Sequence, residues 1–120
     1  MSWEFKNDRP IYTQLLEQIE QKIISGEYEM GSKLPSVREL AAIAAVNPNT
    51  MQRAMAELEN RGLIITNRTA GRIVTDDEHI LVQIRECRAR DLTDDYIRKM
   101  SELKYDKDEI IKFIQKGDKS

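Results

Sequence analysis

The sequence predicts a mainly α-helical chain with one small β-hairpin. Three observations carry this reading. Apolar residues recur at three- and four-residue spacing along much of the 120-residue chain, the mark of amphipathic helices. Helix start and stop signals (Ser36 with Glu39, Asn47 with Pro48, Gly26 and Gly62) stand between these stretches. Finally, two β-branched runs, LIIT and RIVT, are separated only by NRTAG, which reads as a hairpin.

The elements follow in order. A first helix begins near Pro10, a residue that suits a first helical turn, and carries Tyr12, Leu15, Ile19 and Ile23 on one side before Gly26 ends it. GEYEMGSKLP then reads as a loop. Ser36 and Glu39 have the spacing of a capping box, in which side chains and free amides satisfy each other. The short second helix behind it shows Val37, Leu40, Ala41 and Ala44 as its apolar stripe. In VNPNT, Asn47 can accept from the free amides of the next turn, and Pro48 has no amide hydrogen to leave unsatisfied. Met51, Ala54, Met55 and Leu58 mark the buried face of the third helix, and Gly62 reads as its left-handed terminator.

After Thr75 no strand signal remains. Asp76, Asp77 and Glu78 favour the positive end of a fourth helix, which reaches to about Leu103. Ile80, Ile84, Cys87, Leu92, Tyr96, Met100 and Leu103 lie roughly along one side of it, with DLTDD as a candidate interruption. Asp106 and Glu109 repeat the capping spacing before IIKFI, so a last helix carrying Ile110, Phe113 and Ile114 should stop at Gly117.

Composition excludes several classes. With 40% hydrophobic and 33% charged residues the chain should fold rather than stay disordered. No apolar run approaches the roughly 18 residues that cross a bilayer, and MSWEFKNDRP lacks the apolar centre of a signal peptide. A cytoplasmic protein with no membrane partner is expected. The single Cys87 cannot close an intramolecular disulfide and reads as a buried small apolar group, and one histidine supplies no metal-ligand cluster. Neither a metal nor a cofactor is expected. The net charge of -2 hides an uneven distribution. Residues 60–75 hold Arg61, Arg68 and Arg72 with no acid, and residues 30–55 hold Lys33, Arg38 and Arg53 against Glu39. One positive face on a nearly neutral molecule is a footprint of phosphate binding.

Two short helices joined by a tight turn form the helix-turn-helix unit, whose second helix enters the major groove of DNA. With the apolar face of the third helix turned inward, Asn49, Thr50, Gln52 and Arg53 face outward. Arg and Gln can contact guanine and adenine edges, while Thr and Asn serve base or phosphate. The hairpin adds a wing whose tip carries Arg68, Thr69 and Gly71, with Arg72 just beyond. Polar outer faces and solvated turns are common in soluble proteins, so the spacing alone leaves DNA binding and an ordinary surface about evenly matched.

The residues resemble the winged-helix regulators of the GntR family. PIY, LPS-x-R-x-L-A, N-T-x-x-R-A and L-x-x-x-G-L-I all occur between residues 10 and 64. The stretch after the wing is similar to the short two-helix tail of the YtrA subfamily. The resemblance implies a winged helix-turn-helix DNA-binding domain over residues 1–75 and a short α-helical dimerisation tail over residues 76–120. It also implies that Arg38 acts on DNA, that Asn47, Asn49, Thr50, Gln52 and Arg53 contact phosphate or base, and that Gly71 is the second wing-tip glycine. Thr69 stands where the family has its first wing glycine, and Met30 where a proline often precedes Gly31.

About 45 residues after the wing are too few for a separate pocket-forming domain. Their apolar stripes (Ile80, Ile84, Cys87, Leu92, Tyr96, Met100 and Leu103, then Ile110, Phe113 and Ile114) suit burial against a second copy, making a two-fold homodimer. The expected function is a dimeric, sequence-specific regulator, a repressor on a double-stranded, pseudo-palindromic DNA operator; the resemblance extends this to control of a neighbouring transporter operon. Whether a small-molecule effector acts on the tail is left open by the residues. The alternative is a winged-helix adaptor for proteins, which should show apolar anchors where this chain shows Asn, Thr, Gln and Arg. An enzyme fits least, since the chain offers no phosphate loop, no nucleophile with a base and no metal set.

Overall fold

A computed structural model describes residues 3–117. Its elements run α1 (Ile11–Ile24), α2 (Val37–Ala44), α3 (Pro48–Asn60), β1 (Ile64–Asn67), β2 (Gly71–Val74), α4 (Glu78–Glu102) and α5 (Lys107–Gly117). The chain gathers into two compact units that divide between Val82 and Gln83, inside α4.

In the first unit, α2 and α3 begin where their capping side chains place them. Pro10 takes the N-cap position of α1 with no side-chain cap of its own. Buried Gln14 instead ties down the preceding arm, accepting from the Lys6 amide at 2.7 Å and donating to the Lys6 and Arg9 carbonyls at 2.7 and 2.8 Å. Ser36 and Glu39 form the full capping box of α2, and Asn47 accepts from the Asn49 amide at 2.7 Å with Pro48 opening α3. Ala45, at φ 57, makes the left-handed turn between the two helices. Gly62, at φ 85, ends α3, and the Leu63 amide donates back to the Leu58 carbonyl at 3.0 Å in the Schellman pattern.

The core is the set of stripes read from the sequence. Leu15, Ile19 and Ile23 of α1, Leu40, Ala41 and Ala44 of α2, and Met51, Ala54, Met55 and Leu58 of α3 are buried with Leu63, Ile64 and Val74. An ion-pair bridge closes one edge. Arg61 donates to Glu57 at 2.8 Å and to the nearly buried Glu20 at 3.1 Å. Partial burial works against its charge, but the hydrogen bond it donates to Glu57 and the charge of Glu20 raise its pKa further above the ordinary arginine value. Trp3, ahead of α1, lies under the ammonium of buried Lys22, 4.7 Å from the ring centroid.

The hairpin pairs antiparallel, with Ile64 opposite Val74 and Asn67 opposite Gly71. The loop segment that bonds to the outer edge of β2 was not legible in GEYEMGSKLP. The Gly31 amide donates to the Val74 carbonyl, the Val74 amide to Ser32 and the Leu34 amide to Arg72, all at 2.9 Å, and Lys33 bridges Ile73. This loop thereby covers the outer edge of β2.

The helix α4, which begins in the first unit and continues into the second, runs its 25 residues without a break. The expected interruption at DLTDD does not occur, because the Thr93 hydroxyl donates to the Ala89 carbonyl one turn back and Asp95 pairs with Arg98 and Lys99 along the same helix. Asp106 and Glu109 form the second capping box, with bonds of 3.0 and 2.9 Å, ahead of α5. None of the residues of α4 is buried, and Ile110 alone is buried on α5. Cys87, expected to be buried, is exposed for the same reason.

Candidate nucleic-acid interface

The sequence assembles the site from three short elements. The capping box fixes the first turn of α2, and this holds Arg38 on the solvent side of that turn. The amide and hydroxyl of Ser36 hold Glu39 so well that its carboxyl titrates below its ordinary 4.5, the backbone hydrogen bond being the main cause. The N-cap at Asn47 fixes the first turn of α3, from which Asn49 and Gln52 project into solvent while Thr50 is half-buried. The wing turn is built by a side chain. Asn67 Oδ1 accepts from the Thr69 amide at 2.9 Å, the Thr69 hydroxyl at 2.8 Å and the Ala70 amide at 3.2 Å, and Gly71 at φ 83 returns the chain into β2.

These elements converge on a cleft of about 720 Å³. Arg38 from α2, Gln52 from α3, and Gly71 and Arg72 from the wing all line it, together with Lys33 from the loop before α2. Three cations thus face one carboxylate, that of Glu39, which is already engaged by Ser36. A Gln amide set among cations and beside a backbone-exposing glycine is suited to reading a base edge while the cations hold phosphates.

Other residues read as DNA contacts lie apart from that cleft. The Arg53 guanidinium rests on the Tyr12 ring of α1, 4.4 Å from its centroid. Arg68 is exposed at the wing tip, and the amide and hydroxyl of Thr69 are spent on Asn67. Arg72, which does line the cleft, is three-quarters buried, with its Nε unbonded among the described residues and 3.9 Å from the Glu59 carboxylate of α3. Sequence reasoning missed Lys33 as a site residue, although it lies in a basic stretch, and it missed Asn67 as the organiser of the wing tip. It also read Tyr12 only as apolar packing. Among the described residues, no group of histidine, cysteine, aspartate and glutamate is placed to hold a metal ion, and no helix is long and apolar enough to cross a membrane.

Three helices and a basic hairpin, with a polar helix face presented beside clustered cations, define a winged helix-turn-helix DNA-binding domain. Residues 11–74 match the bacterial regulatory proteins of the gntR family. The chain belongs to that family, whose members regulate transcription rather than catalyse reactions. It is 34% identical to the HTH-type transcriptional regulator YhcF of Bacillus subtilis over 96% of this chain and 95% of that one. The HTH-type transcriptional repressor YtrA of the same organism is 42% identical over 60% of this chain and 55% of its own. A GntR family transcriptional regulator from Listeria monocytogenes superposes with a TM-score of 0.87 at 43% identity, covering 93% of this chain and 98% of its own. The DNA-binding domain of AraR, solved in complex with its operator ORX1, matches 62% of this chain and 99% of its own with a TM-score of 0.55 at 26% identity.

Proposed function

We propose that this regulator is a homodimeric repressor that occupies a pseudo-palindromic operator, with residues 1–75 binding DNA and residues 76–120 forming the dimer. The observation that carries the DNA-binding part is the cleft where Arg38, Lys33 and Arg72 surround Gln52. Gln52 and Asn49 read bases in the major groove from the first turns of α3. Arg38, Lys33, Thr50 and Asn47 hold the flanking phosphates, and Arg68 with the Gly71 backbone meets the adjacent phosphate or minor groove. The AraR domain bound to its operator supports DNA as the partner, and the repressor YtrA supports the sign of regulation. A polar and cationic α3 face offers no apolar anchor to a protein ligand, which disfavours an adaptor.

The dimer is supported by the amphipathic second unit. Leu92 and Leu103 are each 67% exposed and Ile114 59% exposed, and Tyr96, Ile111 and Phe113 are exposed as well. Apolar area of that kind is stabilised by burial against another copy. Two α3 helices would then reach half-sites about 34 to 36 Å apart, one turn of DNA. The test is selection from a random double-stranded DNA pool. A two-fold symmetric consensus is expected, and its position in the genome tests control of a neighbouring transporter operon. An asymmetric consensus, or none, would refute the dimeric reading or the DNA-binding reading respectively.

A further inference from the structure

We propose that Tyr12 of α1 is a positioning residue for DNA binding: its ring holds the Arg53 guanidinium in place, so that its free N–H donors are presented to a DNA phosphate beside the half-site read by Gln52. The proposal rests on the DNA-binding reading above and deepens it. The observation is an unusual distribution of partners around one hollow of about 600 Å³ on the outer side of α3, lined by Tyr12, Arg53, Ala56, Glu57, Glu59 and Asn60. It contains two carboxylates, and each is drawn to a different arginine. Glu57 accepts from Arg61 Nε at 2.8 Å, and Glu59 lies 3.9 Å from Arg72 Nε. Arg53, one turn before Glu57, is left without an ion pair among the described residues and takes the ring of Tyr12 as its neighbour, at 4.4 Å.

Stacking uses the face of a guanidinium and leaves its in-plane donors free. A flexible arginine would lose rotamer freedom on meeting a phosphate; one already laid on a ring has lost part of it in the free protein. The ring also draws the cation towards α1, away from the cleft around Gln52, so the group it meets is backbone phosphate rather than a base edge. Tyr12 stands on α1 directly after the arm that Gln14 ties down, and this fixes the ring's place.

The test is a double-mutant cycle on the full chain against the DNA selected by the wild-type protein. Y12L should weaken binding about two- to fivefold, by the same factor on the selected site and on unrelated DNA, and Y12F should stay within twofold of wild type. In an R53M background, Y12L should cost nothing further. Equal losses from Y12L in both backgrounds would show a structural role only and overturn the proposal, as would no loss in the wild-type background. Should Y12L fail to fold, R53K carries the test, because it keeps the charge but removes the flat plate: a severalfold loss with an unchanged salt slope supports the stacking role, and wild-type affinity overturns it. A wild-type protein that enriches no DNA fails the underlying reading instead, and is recognised before any variant is made.

Discussion

Arg72 of the wing and Glu59 of the recognition helix face each other, the Nε of one 3.9 Å from Oε1 of the other. The distance is too long for a hydrogen bond and short enough for the charges to attract. The pair joins β2 to α3 by charge attraction alone. Its side chains are 25% and 40% exposed, so solvent screens it and its share of stability is at most about 1 kcal/mol. Substituting Glu59 by Gln should therefore leave the melting temperature nearly unchanged. It removes a negative charge from beside a cation that lines the proposed DNA cleft, so affinity for DNA of any sequence should rise, most at low salt. Titrations at two salt concentrations check this, and a fall in affinity would mean that the pair positions Arg72 rather than competing for it.

The capping box makes a pH prediction. Because the folded state holds Glu39 below its ordinary value of 4.5, its contribution is fully present above that value and is lost as pH falls through the lowered folded pKa. Acid unfolding followed by circular dichroism should thus begin at lower pH for the wild type than for E39Q, whose stability lacks this component, and the wild-type advantage should shrink as pH falls below 4.5. S36A removes the reciprocal bond and should cost about 1 kcal/mol at neutral pH. Parallel acid curves for wild type and E39Q would contradict the role of this carboxylate.

Two glycines with nearly the same backbone separate two kinds of cost. Gly26 and Gly62 have φ of 86 and 85°, yet a Cβ at Gly26 meets nothing within 4 Å, whereas one at Gly62 would lie 3.2 Å from Ile80 Cδ1. G26A should lose only the left-handed strain of about 1 to 2 kcal/mol. G62A should lose more, because Ile80 must also give way. Chemical denaturation of the two variants measures the difference, and equal losses would mean that Ile80 shifts freely.

The tail carries a prediction that discriminates assembly from folding. Ile114 is 59% exposed, so I114E should unfold nothing in the chain itself. It should lower the mass seen in sedimentation from dimer to monomer and weaken operator binding with it. A variant that stays dimeric would remove α5 from the interface.

The parts of this molecule that were legible in its sequence are those held by neighbours in the chain. Ser36 with Glu39, Asn47 with Pro48, and Gly62 each satisfy backbone groups within four residues, so their spacing alone marks the helix ends. The apolar stripes of α1, α2 and α3 were legible because one helical face meets one core. What escaped depends on the register of distant segments. Lys33 enters the cleft because its loop bridges Ile73 of β2, and nothing in GEYEMGSKLP alternates as a strand would. Tyr12 finds Arg53 across two helices, and helical spacing distinguishes only an apolar face from a polar one. DLTDD misled because its residues favour turns in isolation, while inside α4 they bond to their own helix.

The central claim is that the cleft around Gln52 reads DNA sequence with Arg38 as its anchor. Binding of R38A and Q52A to the selected consensus and to a scrambled duplex, each over a series of salt concentrations, tests it most directly. Q52A should lose about 1 to 3 kcal/mol on the consensus and almost nothing on the scrambled duplex, and R38A should weaken both with a shallower salt slope by about one phosphate. Unchanged affinity for both variants, or a wild-type affinity that ignores salt, would contradict the account.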